Sequence, residues 1–244
     1  MAASSLLTLR MADVAFVHWP VDPALVIPKL PAGLTVDTHD GEAYLSVVGL
    51  RMADVSPPGV PVGRTFAQVN VRTYVTGDEG PGVYFLSLDA DAPLGVAVAR
   101  RLFDLDYHRA DVALDWRDGR LELSSTRRTD AGAVRFDATV EPTGGLAEPD
   151  RDDLTPFLVE RRLFYASGGD RLYVGRVDHP AWSLQDADVT IHENELLGAN
   201  GFDVPDAAPI AQYSPGVETT VEGIRPRSLP FVGRQALRPA ANRK

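Results

Sequence analysis

The chain has 244 residues, 44% of them hydrophobic, and a formal net charge of −10 at pH 7. That balance argues against nucleic acid as a partner, because neutralising phosphates needs a basic face; no apolar run approaches the roughly 18 to 20 residues that span a membrane. The absence of cysteine excludes disulfides, thiolate metal ligands and cysteine nucleophiles. The opening MAASSLLTLRM has too short an apolar stretch for a secretory signal, so the cytoplasm is the expected location.

No linker, repeat or low-complexity tract separates two halves, and one domain is expected over residues 1–224. Residues 225–244 hold five arginines and one lysine without an acid, leaving 18 basic against 34 acidic residues in the rest, and read as a basic, extended C-terminal tail. Lysine is otherwise confined to Lys29, between Ile27-Pro28 and Leu30-Pro31 in what reads as a surface turn, against 22 arginines in the chain.

In chain order, Asp13 to Trp19 alternates as a strand, and Asp22-Pro23 supplies an N-cap and first-turn proline for a short helix ending near Lys29. Leu34 to Thr38 and Ala43 to Met52 flank Asp40-Gly41, a hairpin signal, and Pro57 to Gly63 marks an open loop. From Phe66, Gln68, Asn70, Arg72 and Tyr74 alternate with Val69, Val71, Thr73 and Val75, so the period of two sets a polar row against an apolar face. The turn at Thr76 to Pro81 returns the chain through a strand at Val83 to Asp89. Leu94 to Phe103 reads as a helix closed by two arginines. Tyr107 to Trp116, Arg120 to Arg127 and Val134 to Glu141 read as an antiparallel meander. Thr155-Pro156 opens a helix through about Arg161, strands return at Leu163 to Ala166 and Arg171 to Val177, and the remainder reads as mixed turn and short strand. The fold class is mainly β: a curved antiparallel β-barrel around a central cavity, with two or three short helices.

Two groups of residues could carry chemistry. If the row of Gln68, Asn70, Arg72 and Tyr74 faces a lumen, arginine offers a bidentate fork to a carboxylate while the amides and tyrosine orient it; the competing reading is an outward polar face. His108 falls on the strand face of Ala110, Val112, Leu114 and Trp116, where an imidazole is more often a satisfied core group than a base, and His18 beside Val14 and Phe16 invites the same caution. The five histidines show no HxH or HExxH spacing and there is no phosphate loop, dinucleotide fingerprint or GxSxG. No metal and no cofactor are expected.

Several segments together resemble one family: Phe16-Val-His-Trp-Pro20, Leu30-Pro-Ala-Gly-Leu34, Asn70-Val-Arg-Thr-Tyr74, Gly82-Val-Tyr-Phe-Leu-Ser-Leu-Asp89, Tyr107-His-Arg-Ala110, Phe157-Leu-Val-Glu-Arg161 and His179-Pro180 with Trp182. This order, over nearly the whole chain, is similar to the YqjF-like family of uncharacterised proteins, which implies relatedness to the acetoacetate decarboxylase superfamily and its curved β-barrel. Enzymes of that superfamily form a Schiff base through a lysine helped by a second cationic group and an acidic residue. The corresponding segment here is Leu105-Asp-Tyr-His-Arg109, with Tyr107 and His108 at the lysine pair, and Gln68 stands where relatives often carry glutamate. The resemblance therefore implies the fold without the imine chemistry.

The expected function is binding of a small carbonyl- or carboxylate-bearing molecule in the lumen, with Arg72 pairing to its anionic group and Tyr74, Gln68 and Asn70 beside it. If the protein is an enzyme, His108 or Tyr107 would carry the proton in a lyase- or isomerase-type step; Tyr107 and His108 are neighbours on a strand, so both enter one lumen only through a bulge. A non-catalytic binding or scaffold protein on the same fold is the alternative. The sequence leaves the oligomeric state open, a homo-oligomer included.

Overall fold

The computed structural model describes residues 5–60, 63–92, 107–149, 154–168 and 171–228. Its strands are β1 (Ser5–Val21), β2 (Thr35–Val36), β3 (Ala43–Ser56), β4 (Arg64–Gly77), β5 (Gly80–Ala90), β6 (Tyr107–Arg117), β7 (Arg120–Thr129), β8 (Gly132–Ala147), β9 (Leu163–Gly168), β10 (Arg171–Asp178), β11 (Leu184–Asn194) and β12 (Ile210–Ser228). Three short helices accompany them: α1 (Pro23–Val26), α2 (Leu154–Val159) and α3 (Leu196–Ala199). Asp22 caps α1 as its sequence implies, its Oδ1 accepting the Ala24 N–H at 2.8 Å.

The strands form one curved sheet in the order β10-β9-β5-β6-β7-β8-β11-β12-β1-β3-β4-β2, and pairings of β10 with β12 and of β4 with β5 close it on itself. Two rings of hydrogen-bonded strands result, both using β12, β1, β3, β4 and β5; β9 and β10 complete one, and β6, β7, β8 and β11 the other. A shared strand must bury both faces, and the alternation accomplishes this. On β1, Ala15, Val17 and Trp19 join the core of the larger ring with Leu45, Val71, Leu123 and Val140, whereas Val14 and Phe16 join Val48, Leu50, Phe164 and Trp182 in the smaller. Each such fully buried aliphatic or aromatic side chain stabilises the fold by about 1.5–3 kcal/mol.

Bulges keep the faces consistent. The β1–β3 register shifts between Ala12 and Ala15, where Asp13 takes φ 50°; the extra residue reverses parity, so Leu7, Leu9 and Met11 before it face the same way as Val14 and Phe16 after it. Asp13 is tied down there: its carboxylate accepts from Arg51 Nε at 3.2 Å and Trp116 Nε1 at 3.1 Å. Opposite Ala12, on β12, Gly216 takes φ 116°, and a Cβ at that position would collide with the Met11 carbonyl.

The hairpin of β4 and β5 and the β6-β7-β8 meander match the sequence reading. Other elements differ. Asp40 and Gly41 do make a tight turn at φ 51° and 87°, but β2 pairs with β4 rather than β3, through Thr35↔Thr76 and Val36↔Val75, because the turn closes only the His39↔Glu42 bridge. Segments that read as short strand and turn are the long β11 and β12; Pro215, which has no N–H to donate, falls opposite Asp13 where the ladder is interrupted. β12 continues to Ser228, so residues 225–228 of the basic stretch are strand, paired with β10. The sheet also has two parallel pairings, β5 with β6 and β5 with β9. Helix α3 had no clear sequence signal, and the helix expected at Leu94 to Phe103 lies outside the described residues. Among the described residues no helix is long and apolar enough to cross a membrane.

Candidate functional site

The inner face of the smaller ring does not fill completely. It holds a cavity of about 230 Å³, and of the nineteen described residues that line it fifteen are apolar. The four polar exceptions are Gln68, Asn70, Arg72 and Tyr107. Three of them come from alternate positions of β4, so the row seen in the sequence is turned inward, and Gln68 and Asn70 are buried. Its opposite face, Val69 and Val71, packs in the other core.

Arg72 is the charged group of this wall. One Nη donates to the Leu158 carbonyl at 3.1 Å, and the guanidinium lies 5.6 Å from the Phe16 ring centroid. Its Nε is buried without an acceptor, and among the described residues no carboxylate pairs with it. Arginine carries five donors and stays protonated. A half-buried guanidinium in an apolar wall, with one carbonyl acceptor among the described residues, is incompletely solvated, and an incoming anion would correct that. The Oδ1 of Asn70, on the same strand, is also buried without a partner among the described residues.

Behind Arg72 lies a polar network that only the strand register reveals. His18 on β1 pairs across to Ser46 on β3, and Ser46 to Arg72 on β4. His18 Nδ1 lies 2.7 Å from Ser46 Oγ. Ser46 Oγ lies 2.8 Å from the Tyr74 hydroxyl, which donates to the Leu158 carbonyl at 2.9 Å. Thus α2 is tied to the site through one carbonyl that accepts from both Arg72 and Tyr74. Burial first, and the Arg72 charge second, lower the His18 pKa to about 3, with Gln212 acting in the opposite direction. His18 is therefore a neutral imidazole beside a permanent cation.

The sequence-derived site residues separate on this frame. Gln68, Asn70, Arg72 and Tyr107 share the cavity wall. Tyr74 is fully buried behind it in the network with His18 and Ser46. Tyr107 and His108 are consecutive on β6 and diverge: His108 is not a lining residue, lies beside Asp89 of β5 in the parallel pairing, and shares its strand face with Ala110, Val112 and Leu114 of the other core. Asp89 there meets Arg127 at 3.4 Å and accepts from Ser125 Oγ at 3.2 Å. The Tyr107 hydroxyl donates to Gln68 Oε1 at 3.2 Å, and burial pushes its pKa up to about 12, so it keeps its proton and acts as a donor. Lys29 is exposed, its Nζ 5.6 Å from the Phe202 ring, and no lysine, aspartate or glutamate lines the cavity among the described residues. The wall can bind an anion and donate hydrogen bonds; among the described residues it holds no amine for an imine. Among the described residues no three His, Asp or Glu side chains converge as a metal ion would need.

The profile of DUF2071, described as an uncharacterized conserved protein, matches residues 8–218. The chain is 34% identical over 205 residues to the uncharacterized protein YqjF of Bacillus subtilis (strain 168), covering 83% of this chain and 84% of that protein. Among solved structures it is similar to acetoacetate decarboxylase from Legionella pneumophila, with a TM-score of 0.65 and 12% identity over 92% of this chain and 88% of that one. It is similar also to the enduracididine biosynthesis enzyme MppR complexed with the condensation product of pyruvate and imidazole 4-carboxaldehyde, with a TM-score of 0.63 and 13% identity over 91% and 89% of the two chains. At that identity the structural likeness shows the fold alone: the chain has the acetoacetate decarboxylase-like fold.

Proposed function

The chain belongs to the DUF2071 family, and from that premise we propose that it binds a small organic carboxylate in the cavity of its smaller ring, with Arg72 as the anion anchor. The observation that carries this reading is a guanidinium in an apolar wall with no carboxylate beside it among the described residues. A protein gains nothing in stability by keeping such a charge uncompensated; a ligand anion gains a charge-assisted, bidentate partner. Asn70 Oδ1 and the Gln68–Tyr107 pair supply an acceptor and donors for a second polar group. The support from structural neighbours is that MppR is described in complex with pyruvate and with a pyruvate condensation product, small carbonyl acids on the same fold. Calorimetric titration with hexanoate and its neutral isostere hexanamide tests the reading. The carboxylate should bind at least about tenfold tighter, as one charged hydrogen bond implies; equal affinities would remove Arg72 from the account.

The position of Tyr107 favours a second reading on the same site. A phenol that holds its proton to about 12 can donate to a carbonyl oxygen and stabilise an enolate as charge develops there, while the proton leaving the carbon passes to a water molecule, since no carboxylate, amine or imidazole is among the described lining residues; this is the basis of a lyase- or isomerase-type proton transfer without a Schiff base. Proton NMR in D₂O tests it: exchange of the methyl hydrogens of pyruvate for deuterium, catalysed by wild type and abolished by Tyr107→Phe, supports catalysis, and no exchange above the solvent rate leaves a binding protein.

A further inference from the structure

The cavity's walls say more about the ligand than its anchor does. Its polar groups gather along β4, whereas its far end is built from Leu7, Met11, Met52, Val221 and Ile224, all apolar. Along β1 the lining runs from Phe16, beside Arg72, back to Leu7, nine positions that span about 30 Å of strand at roughly 3.3 Å each before tilt and the Asp13 bulge shorten it. A volume of about 230 Å³ holds about eight water-sized groups at roughly 30 Å³ each, more than the six non-hydrogen atoms of a short acid such as butanoate. Two methionines at the apolar end, flexible and polarisable, suit a chain that has no fixed shape.

Building on the carboxylate reading above, we infer that the ligand is an aliphatic monocarboxylate of medium length, about six to ten carbons, seated with its carboxylate on Arg72 and its chain running along the cavity-facing side of β1 and β3 toward Leu7 and Met52. The bulges do the shaping. Without the parity reversals at Asp13 on β1 and beyond Val71 on the β4–β5 ladder, where the register shifts so that both Phe85 and Leu88 reach the cavity, alternate wall positions would point away and the apolar end would close.

Isothermal titration of wild type with butanoate, hexanoate, octanoate and octan-1-ol, with Met52→Trp and Arg72→Met as variants, tests this. Affinity should rise about fourfold per methylene, roughly two orders of magnitude from butanoate to octanoate. Met52→Trp, which fills the apolar end, should weaken octanoate and spare butanoate. A series that stays flat from butanoate to octanoate while remaining sensitive to Arg72→Met would overturn the medium-chain inference and leave the carboxylate reading standing. Octan-1-ol binding as tightly as octanoate would overturn the carboxylate reading beneath it, and no binding of any member would overturn both. The wild-type series decides the question even if a variant fails to fold.

Discussion

Replacing Arg72 with methionine should cost the ligand-free protein almost nothing, and it should cost ligand binding a great deal. Three quantities set that expectation. The substitution removes the hydrogen bond to the Leu158 carbonyl at 3.1 Å, of a kind that contributes about 1.5–3 kcal/mol when charged, yet that carbonyl keeps the Tyr74 hydroxyl at 2.9 Å. It removes a cation–π contact with Phe16 at 5.6 Å, about 0.5–2 kcal/mol. Against these stands the desolvation of a half-buried guanidinium that has no carboxylate partner among the described residues, a fraction of the several kcal/mol that a fully buried ion costs, while methionine preserves the apolar stem. The expected net change is within about 1 kcal/mol of zero. Guanidinium denaturation curves with and without octanoate separate the two effects. Wild type at a hundredfold excess over its Kd should gain about 2.7 kcal/mol, and the variant, having lost a charge pair worth about 2–5 kcal/mol, should gain little at the same concentration. An Arg72→Met variant destabilised by more than about 2 kcal/mol without ligand, yet stabilised by octanoate as wild type is, would make Arg72 a structural residue and refute the reasoning.

The buried His18 sets an acid limb. Its pKa is lowered from 6.5 to about 3 in the fold, so the unfolded chain binds the proton first: stability is full above pH 6.5 and is lost as pH falls toward 3, by several kcal/mol in total. Histidine NMR resonances should show one ring that does not titrate down to pH 4.5, and Arg72→Met should raise its pKa by removing the neighbouring charge; a His18 signal titrating near 6.5 would contradict the burial argument. Tyr107→Phe takes the donor from buried Gln68 and should cost about 1–2 kcal/mol, read as a shifted denaturation midpoint, while leaving phenolate absorbance below pH 11 unchanged because Tyr107 titrates near 12. Gly216→Ala should destabilise by more than about 2 kcal/mol, since φ 116° and the Met11 carbonyl both exclude a Cβ; a thermal midpoint equal to that of wild type would show the bulge to be adaptable.

The polar row on β4 was legible in the sequence because a strand with one apolar face and one polar row has a period-two signature of its own, and the family resemblance turned that row inward. The capped α1, the β4–β5 hairpin and the β6-β7-β8 meander were legible for the same local reasons: Asp22-Pro23, the turn at Gly77 to Gly80, and Asp118-Gly119. What stayed hidden was non-local. The contacts of His18, Ser46 and Tyr74 depend on the register of β1, β3 and β4, and no local signal links residues 28 positions apart. Strict alternation also misreads β1, since Asp13 reverses parity, and it misread β12, since Ser214-Pro215-Gly216 is a turn by composition and a bulged strand in the fold. The choice between Tyr107 and His108 turned on which side of β6 faces the cavity, which depends on the parallel pairing with β5.

The claim that Arg72 holds a ligand carboxylate in the cavity is most directly tested by ¹³C NMR of carboxyl-labelled octanoate titrated with the protein over a range of pH. We expect a bound carboxyl resonance whose pKa lies below that of free octanoate, because the adjacent guanidinium favours the ionised form, and loss of that depression in Arg72→Met. A bound carboxyl group whose pKa is raised above the free value would mean that the acid enters neutral among apolar side chains and never meets Arg72.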